Sequence, residues 1–293
     1  MTTPEKQPLT LTLSPGYWGE GTKRRIPFLV ACWAVLLLGC DRKPRGAATA
    51  PATQAATSRE VRIAAAADLK FALDELSSAF RARHPGVAVT LTYGSSGNFF
   101  AQLSNEAPFD LFLSADFYYP QRLLEQGKGA PGTLFRYAVG RIVAWVPAGS
   151  KLDVEKRGLA ALADDSVRKI AIANPQHAPY GRAAEAALRS AGVYDKVKGR
   201  LVLGENVAQA AQFVQSGAAD AGVVALSLAV SPAMRDKGRY WEVPLDAYPR
   251  IEQGGVVLKW AQDPGAANDF RLFMASDEGR AILKAYGFAA APG

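Results

Sequence analysis

Short apolar runs alternate with amphipathic stretches from Glu60 onward. Val61-Arg62-Ile63-Ala64-Ala65 reads as a strand. Leu69, Leu73, Leu76 and Phe80 then recur at helical spacing, with charged residues between them. His84-Pro85-Gly86 stops that helix. The pattern repeats in a strand at 87–93 and a helix at 99–105. Residues 110–115 form a short strand apolar enough for burial on both faces. A helix near 119–126 ends at Gly127, and 137–146 read as one long apolar strand. A short helix at 159–163, a strand at 169–173 and a helix at 182–191 follow. Strand 201–203, helix 207–216, buried strand 220–225, strand 251–258 and helices 264–276 and 278–286 complete the series. Such βαβ alternation predicts an α/β fold with mainly parallel sheets. In sheets of this kind, ligands bind beyond the carboxyl ends of the strands.

The first 60 residues have a different character. Lys23-Arg24-Arg25 is a positive segment, and residues 26–38 are apolar but short for a membrane span. Leu37-Leu38-Gly39-Cys40 has the form of a lipoprotein signal, with Cys40 as the lipidated first residue of the mature chain. A plain secretory signal or an uncleaved anchor is the alternative. Residues 1–39 are thus expected to be a signal region, with a start nearer Lys23 as one reading of the unusual segment 10–16. Residues 40–58, rich in Ala, Thr, Pro, Lys and Arg, are expected to be a disordered tether. Cys32 falls inside the signal, so one cysteine remains and no disulfide forms within one mature chain. Stability must then come from a core, for which the remaining length is ample. The net charge of +7 is spread out, without a Lys/Arg block in the folded region. That suits solubility and attraction to small anions, and it excludes a clustered nucleic-acid footprint.

Four turns share one pattern: strand, small or polar turn, helix start. They are Ala66-Ala67-Asp68-Leu69, Gly94-Ser95-Ser96-Gly97-Asn98, Pro179-Tyr180-Gly181 and Gly204-Glu205-Asn206-Val207. Ala225-Leu226-Ser227 is a candidate fifth. The first turn of a helix has N–H groups without intrahelical partners, and its dipole favours anions. One such turn is commonplace. Several on two facing sheets would enclose a tetrahedral anion with neutral donors, leaving no buried cation uncompensated when the site is empty.

The order of these segments resembles the periplasmic molybdate-binding proteins of ABC importers. The likeness is carried by residues 64–69, Tyr93-Gly94-Ser95-Ser96-Gly97 and residues 107–116. Residues 174–181, Gly222-Val223-Val224-Ala225-Leu226-Ser227 and the ending Tyr286-Gly287-Phe288 carry it further. The resemblance runs from about Val61 to Phe288. It implies a two-lobed, type II periplasmic-binding-protein fold: two α/β lobes, each a mainly parallel sheet flanked by helices, joined by two crossing strands and closing by hinge motion. Lobe one would be 59–140 plus 250–293 and lobe two 141–249. The crossings would fall near 137–144 and 248–251.

The resemblance also implies a function: capture of molybdate or tungstate and delivery to an ABC permease by a lipid-anchored, monomeric protein of the periplasm or cell envelope. Neither a cofactor nor a protein-coordinated cation is expected. Sulfate or phosphate binding is the alternative, and an enzyme on the same scaffold a more distant one. Carried over by position, the oxyanion contacts fall on Ala67, Asp68, Ser96, Tyr180 and Val207. Ser96 would give its hydroxyl and N–H, and the others backbone N–H groups. Ala225 lacks the hydroxyl that some relatives place there, and Tyr180 is the expected substitute. Ser95 and Asn98 are expected to shape the turn.

Asp68 departs from the Ser or Asn usual at its position. An ionised carboxylate beside a dianion costs on the order of 1–4 kcal/mol at contact distance. The favoured reading is that Asp68 caps its own helix and faces away from the ligand. The other is that it accepts a bond from a protonated oxyanion, which would point to phosphate-like ligands. His84 and His177 lack the nucleophile and orienting acid of a catalytic set. Asp110 and Asp116 show no metal-ligand spacing with His177, and no Gly-x-x-x-x-Gly-Lys phosphate loop occurs.

Overall fold

The computed structural model describes residues 59–291. The expected signal region, Cys40 and the tether lie outside the described residues. In chain order the first elements are β1 (Arg59–Ala66), a 3-10 turn (Ala67–Leu69), α1 (Lys70–Arg83), β2 (Val87–Gly94), α2 (Ser96–Leu103), β3 (Leu111–Ser114), α3 (Tyr118–Glu125), β4 (Phe135–Gly140) and β5 (Ile142–Pro147). Next come α4 (Val154–Arg157), β6 (Ile170–Ala173), α5 (Pro179–Ser190), α6 (Tyr194–Val197), β7 (Leu201–Gly204), α7 (Val207–Gln215) and β8 (Ala221–Ala225). The chain closes with α8 (Leu226–Ala229), β9 (Gly238–Glu242), β10 (Ile251–Val257), α9 (Pro264–Met274) and α10 (Asp277–Ala285).

The strands form two five-stranded sheets with matching topology, ordered β2-β1-β3-β10-β4 and β7-β6-β8-β5-β9. In the first, β1 pairs parallel with β2 and β3, while β10 runs antiparallel to β3 and β4. In the second, β6 pairs parallel with β7 and β8, while β5 runs antiparallel to β8 and β9. Each sheet therefore has one reversed strand, and it is the strand that enters from the other sheet. The chain passes between sheets at Arg141, and returns between β9 and β10.

The run 137–146, expected as one strand, is split between the two sheets. Ala138 and Val139 pair with β10, whereas Val143 and Ala144 pair with β8 and β9. Residues on either side of the break are buried, so their hydropathy carried no mark of it. Strand β9 went unread because it is half-exposed and its Arg239 and Glu242 interrupt any apolar run.

The central strands justify their composition. β3, β6 and β8 are buried along their whole length. The stripe Leu69, Leu73, Leu76 and Phe80 has no exposed surface, and Phe80 meets Phe270 of α9 edge-on at 5.0 Å. Each such side chain contributes about 1.5–3 kcal/mol by burial.

Asp110 anchors the start of β3. Fully buried, it accepts from the Arg62 N–H at 2.7 Å, from the Arg62 guanidinium at 2.9 and 3.0 Å, and from the Gln262 N–H at 2.8 Å. Asp110→Ala leaves two N–H groups and a guanidinium without partners. The expected loss is about 3 kcal/mol of unfolding free energy, read by chemical denaturation. An unchanged midpoint would refute this anchoring role.

Candidate functional site

Five strand ends converge on one small cavity of about 10 Å³ between the two sheets. Its wall consists of residues 66–68 after β1, 94–96 after β2, 115 after β3, 178–180 after β6 and 206–207 after β7. All five residues anticipated from the sequence, Ala67, Asp68, Ser96, Tyr180 and Val207, line it. Among the described residues that line it, none is Lys or Arg and Asp68 is the one acid.

Backbone geometry explains the donors. Ser96 and Val207 are the first residues of α2 and α7, and Tyr180 is the second of α5, after Pro179. N–H groups at these positions have no acceptor within their own helix. Asn206 caps α7 by accepting from the Gln209 N–H at 3.0 Å, which leaves the Val207 N–H for the cavity. Ser96 is 1% exposed, and its Oγ accepts from the Ala115 N–H at 2.9 Å. That bond fixes the oxygen while sparing the hydroxyl proton for a ligand.

Asp68 does not cap its helix. Ala66 occupies the cap position, and no side chain caps the 3-10 turn. The carboxylate turns inward instead and is 1% exposed. Its Oδ2 accepts from the Tyr180 hydroxyl at 2.9 Å and from Gln253 Nε2 at 2.6 Å; Gln253 also donates to Tyr180 Oη at 3.0 Å. Two buried donors outcompete a cap because an unsatisfied buried polar group costs about 1–3 kcal/mol. The Tyr180 hydroxyl is thereby committed to Asp68 and does not substitute for the hydroxyl missing at Ala225.

Burial pushes the Asp68 carboxyl up to about 6, against the pull of the bonds from Gln253 and Tyr180. Burial, and then the Asp68 charge, holds the Tyr180 hydroxyl well above its ordinary range. The same two causes act on Tyr137, which donates to the Ser114 carbonyl at 2.9 Å.

A ring of contacts ties the two sheet-centred halves together around the cavity. Ser95 Oγ meets His177 Nδ1 at 2.9 Å, and the Gly97 N–H donates to the His177 carbonyl at 2.9 Å. Asn98 Nδ2 donates to Glu205 Oε1 at 3.2 Å, and Ser227 Oγ to the Asp68 carbonyl at 2.8 Å. Arg182 pairs with Asp116 at 2.6 Å. Ser95 and Asn98 thus do more than shape their turn. Sequence reasoning missed Gln253, Ala115 and the bridging role of His177. Gln253 had a signal: it is the lone amide in an apolar strand, and it is fully buried.

The arrangement suits a small anion. First-turn amides and the Ser96 hydroxyl border the cavity, and hydrogen bonds to a charged partner are roughly twice as strong as neutral ones. Comparison with known proteins agrees with the fold. The family described as bacterial extracellular solute-binding protein matches residues 61–289. A molybdate-binding protein ModA of Azotobacter vinelandii is 36% identical over 234 residues, covering 80% of this chain and 91% of the relative. A putative ABC transporter substrate-binding lipoprotein, YvgL of Bacillus subtilis, is 29% identical over 268 residues, covering 90% of this chain and 97% of its own. The solved periplasmic molybdate-binding protein of Azotobacter vinelandii superposes with a TM-score of 0.74 at 35% identity, covering 79% of this chain and all of that one. Shared architecture, the length of the match and this level of identity place the chain in the bacterial extracellular solute-binding protein family.

Proposed function

We propose that this protein captures molybdate, and tungstate with it, outside the cytoplasm and delivers it to an ABC permease. The observation that carries this reading is the cavity of neutral donors at five strand ends, in a chain akin to a molybdate-binding protein over nearly its whole folded length. The ligand oxygens would be held by N–H groups of Ala67, Asp68, Ser96, Tyr180 and Val207, and by the Ser96 hydroxyl. The role is carriage, with no catalytic group and no resident cofactor.

Two halves, 59–140 with the chain from 250 onward and 141–249, would close on the anion. The crossings at Arg141 and between β9 and β10 would act as the hinge. Cys40 would carry a lipid that tethers the monomer to a membrane, a reading favoured by the likeness to a putative substrate-binding lipoprotein. One observation favours a second reading. A buried carboxylate in the wall suits an oxyanion that brings its own proton, such as phosphate.

Calorimetric titration of the folded part with molybdate, tungstate, sulfate and phosphate separates these readings. Tight binding of the first two, with sulfate and phosphate weak, is the expected result. Binding of phosphate alone would overturn it.

A further inference from the structure

We propose that the site takes up one proton with each oxyanion, carried on Asp68, so that Asp68 meets the ligand as a neutral carboxylic acid. The inference rests on the oxyanion-binding reading above. It starts from the surroundings of the carboxyl group. Oδ2 already accepts two hydrogen bonds, from Tyr180 and Gln253, whereas Oδ1 is buried with no partner.

Among the described residues, no cation faces the group from any element packed around it. Helix α5 presents the Tyr180 hydroxyl, β10 the Gln253 amide and β4 the Tyr137 phenol. Ser227 of α8 reaches only the Asp68 carbonyl, and α7 carries no titratable side chain. Nearby cations are engaged elsewhere: Lys70 lies over the Tyr93 ring and beside Asp74, and Arg182 pairs with Asp116.

A dianion entering this cavity would therefore sit beside an uncompensated negative charge. Two like charges at contact distance in a poorly solvated site do not both persist. The tyrosines are acids held in their neutral form, and nothing else in the wall can supply balance. A proton from solvent can. It would settle on Oδ1, the oxygen free of other bonds, turning a repelling acceptor into a donor toward a ligand oxygen. No bond of the ligand breaks, and the pair enters as one dianion plus one proton. The carboxyl is poised for this, since burial has already raised it to about 6 before any ligand arrives.

The test is calorimetry with molybdate and tungstate, which carry no proton of their own at neutral and alkaline pH, repeated in buffers of different ionisation enthalpy. Wild-type protein should take up close to one proton per ligand at about pH 8, and its affinity should fall about tenfold per pH unit above neutrality. In Asp68→Asn the uptake should vanish and the affinity should become flat with pH. A structural role for Asp68 alone would change affinity without changing either readout. The wild-type measurements stand by themselves if the variant does not fold. Tight binding by the wild type without proton uptake, or with a flat pH profile, would overturn the inference and leave the oxyanion reading intact. Absence of molybdate and tungstate binding at every pH would overturn both.

Discussion

Gly97→Ala will weaken oxyanion binding by about ten- to a hundredfold, corresponding to about 1–3 kcal/mol of overpacking, without destabilising the ligand-free fold. A methyl group at Gly97 would lie 2.6 Å from the His177 carbonyl oxygen and 3.0 Å from its Cα. These are backbone atoms of the opposing half, so no rotamer change relieves the clash. The same two residues share the hydrogen bond from the Gly97 N–H to the His177 carbonyl. Alanine therefore acts as a wedge, parting the α2 amides from those of α5 and α7. Gly97 lies in the first turn of α2, and its φ is not among the positive values, so helix α2 itself accepts alanine. Alanine in a helix is favoured over glycine by about 0.5–1 kcal/mol. Titration and thermal unfolding separate the two effects: affinity falls while the melting temperature of the free protein holds or rises. A drop in both would mean that Gly97 serves the fold and not the closure.

Ser96→Ala carries the second large effect, with a different signature. Its hydroxyl proton is not committed to another protein group, since Oγ only accepts, from the Ala115 N–H. A hydrogen bond to a charged ligand contributes about 1.5–3 kcal/mol, so affinity should fall by about ten- to a hundredfold. The substitution also orphans the Ala115 N–H, which loses its acceptor at Ser96 Oγ. Ala115 is 1% exposed, so water does not readily replace the lost partner. The free protein should therefore lose about 1–3 kcal/mol of stability as well, measured by denaturant titration. Unchanged affinity would remove Ser96 from the ligand shell.

The convergent turns were legible because they are local. A strand run, a small residue and a helix start are all written within ten positions, and their order along the chain places them at strand ends. Ser96 and Val207 lie in such turns, and the family resemblance singled them out within them. The break between β4 and β5 was hidden because both strands are buried and both read as apolar. Pairing partners, Ile251 against Gly140 and Ala225 against Ile142, decide where one sheet ends and the other begins.

Asp68 shows the deeper limit. Local rules favour a cap for an acid before an apolar-periodic helix. Its partners, Tyr180 and Gln253, lie 112 and 185 positions away in sequence, and they decide its orientation. The departure from local preference falls at the candidate site, where such conflicts are expected.

The proposed site holds a tetrahedral oxyanion with neutral donors at the ends of β1, β2, β6 and β7. A crystal structure of the folded part loaded with tungstate tests it most directly, because the heavy atom marks its own position by anomalous scattering. The expected result is tungstate between the two sheets, its oxygens about 2.7–3.2 Å from the Ser96 hydroxyl and from N–H groups of Ala67, Asp68, Ser96, Tyr180 and Val207. Tungstate bound elsewhere, or held in that cavity by lysine or arginine side chains, would contradict it.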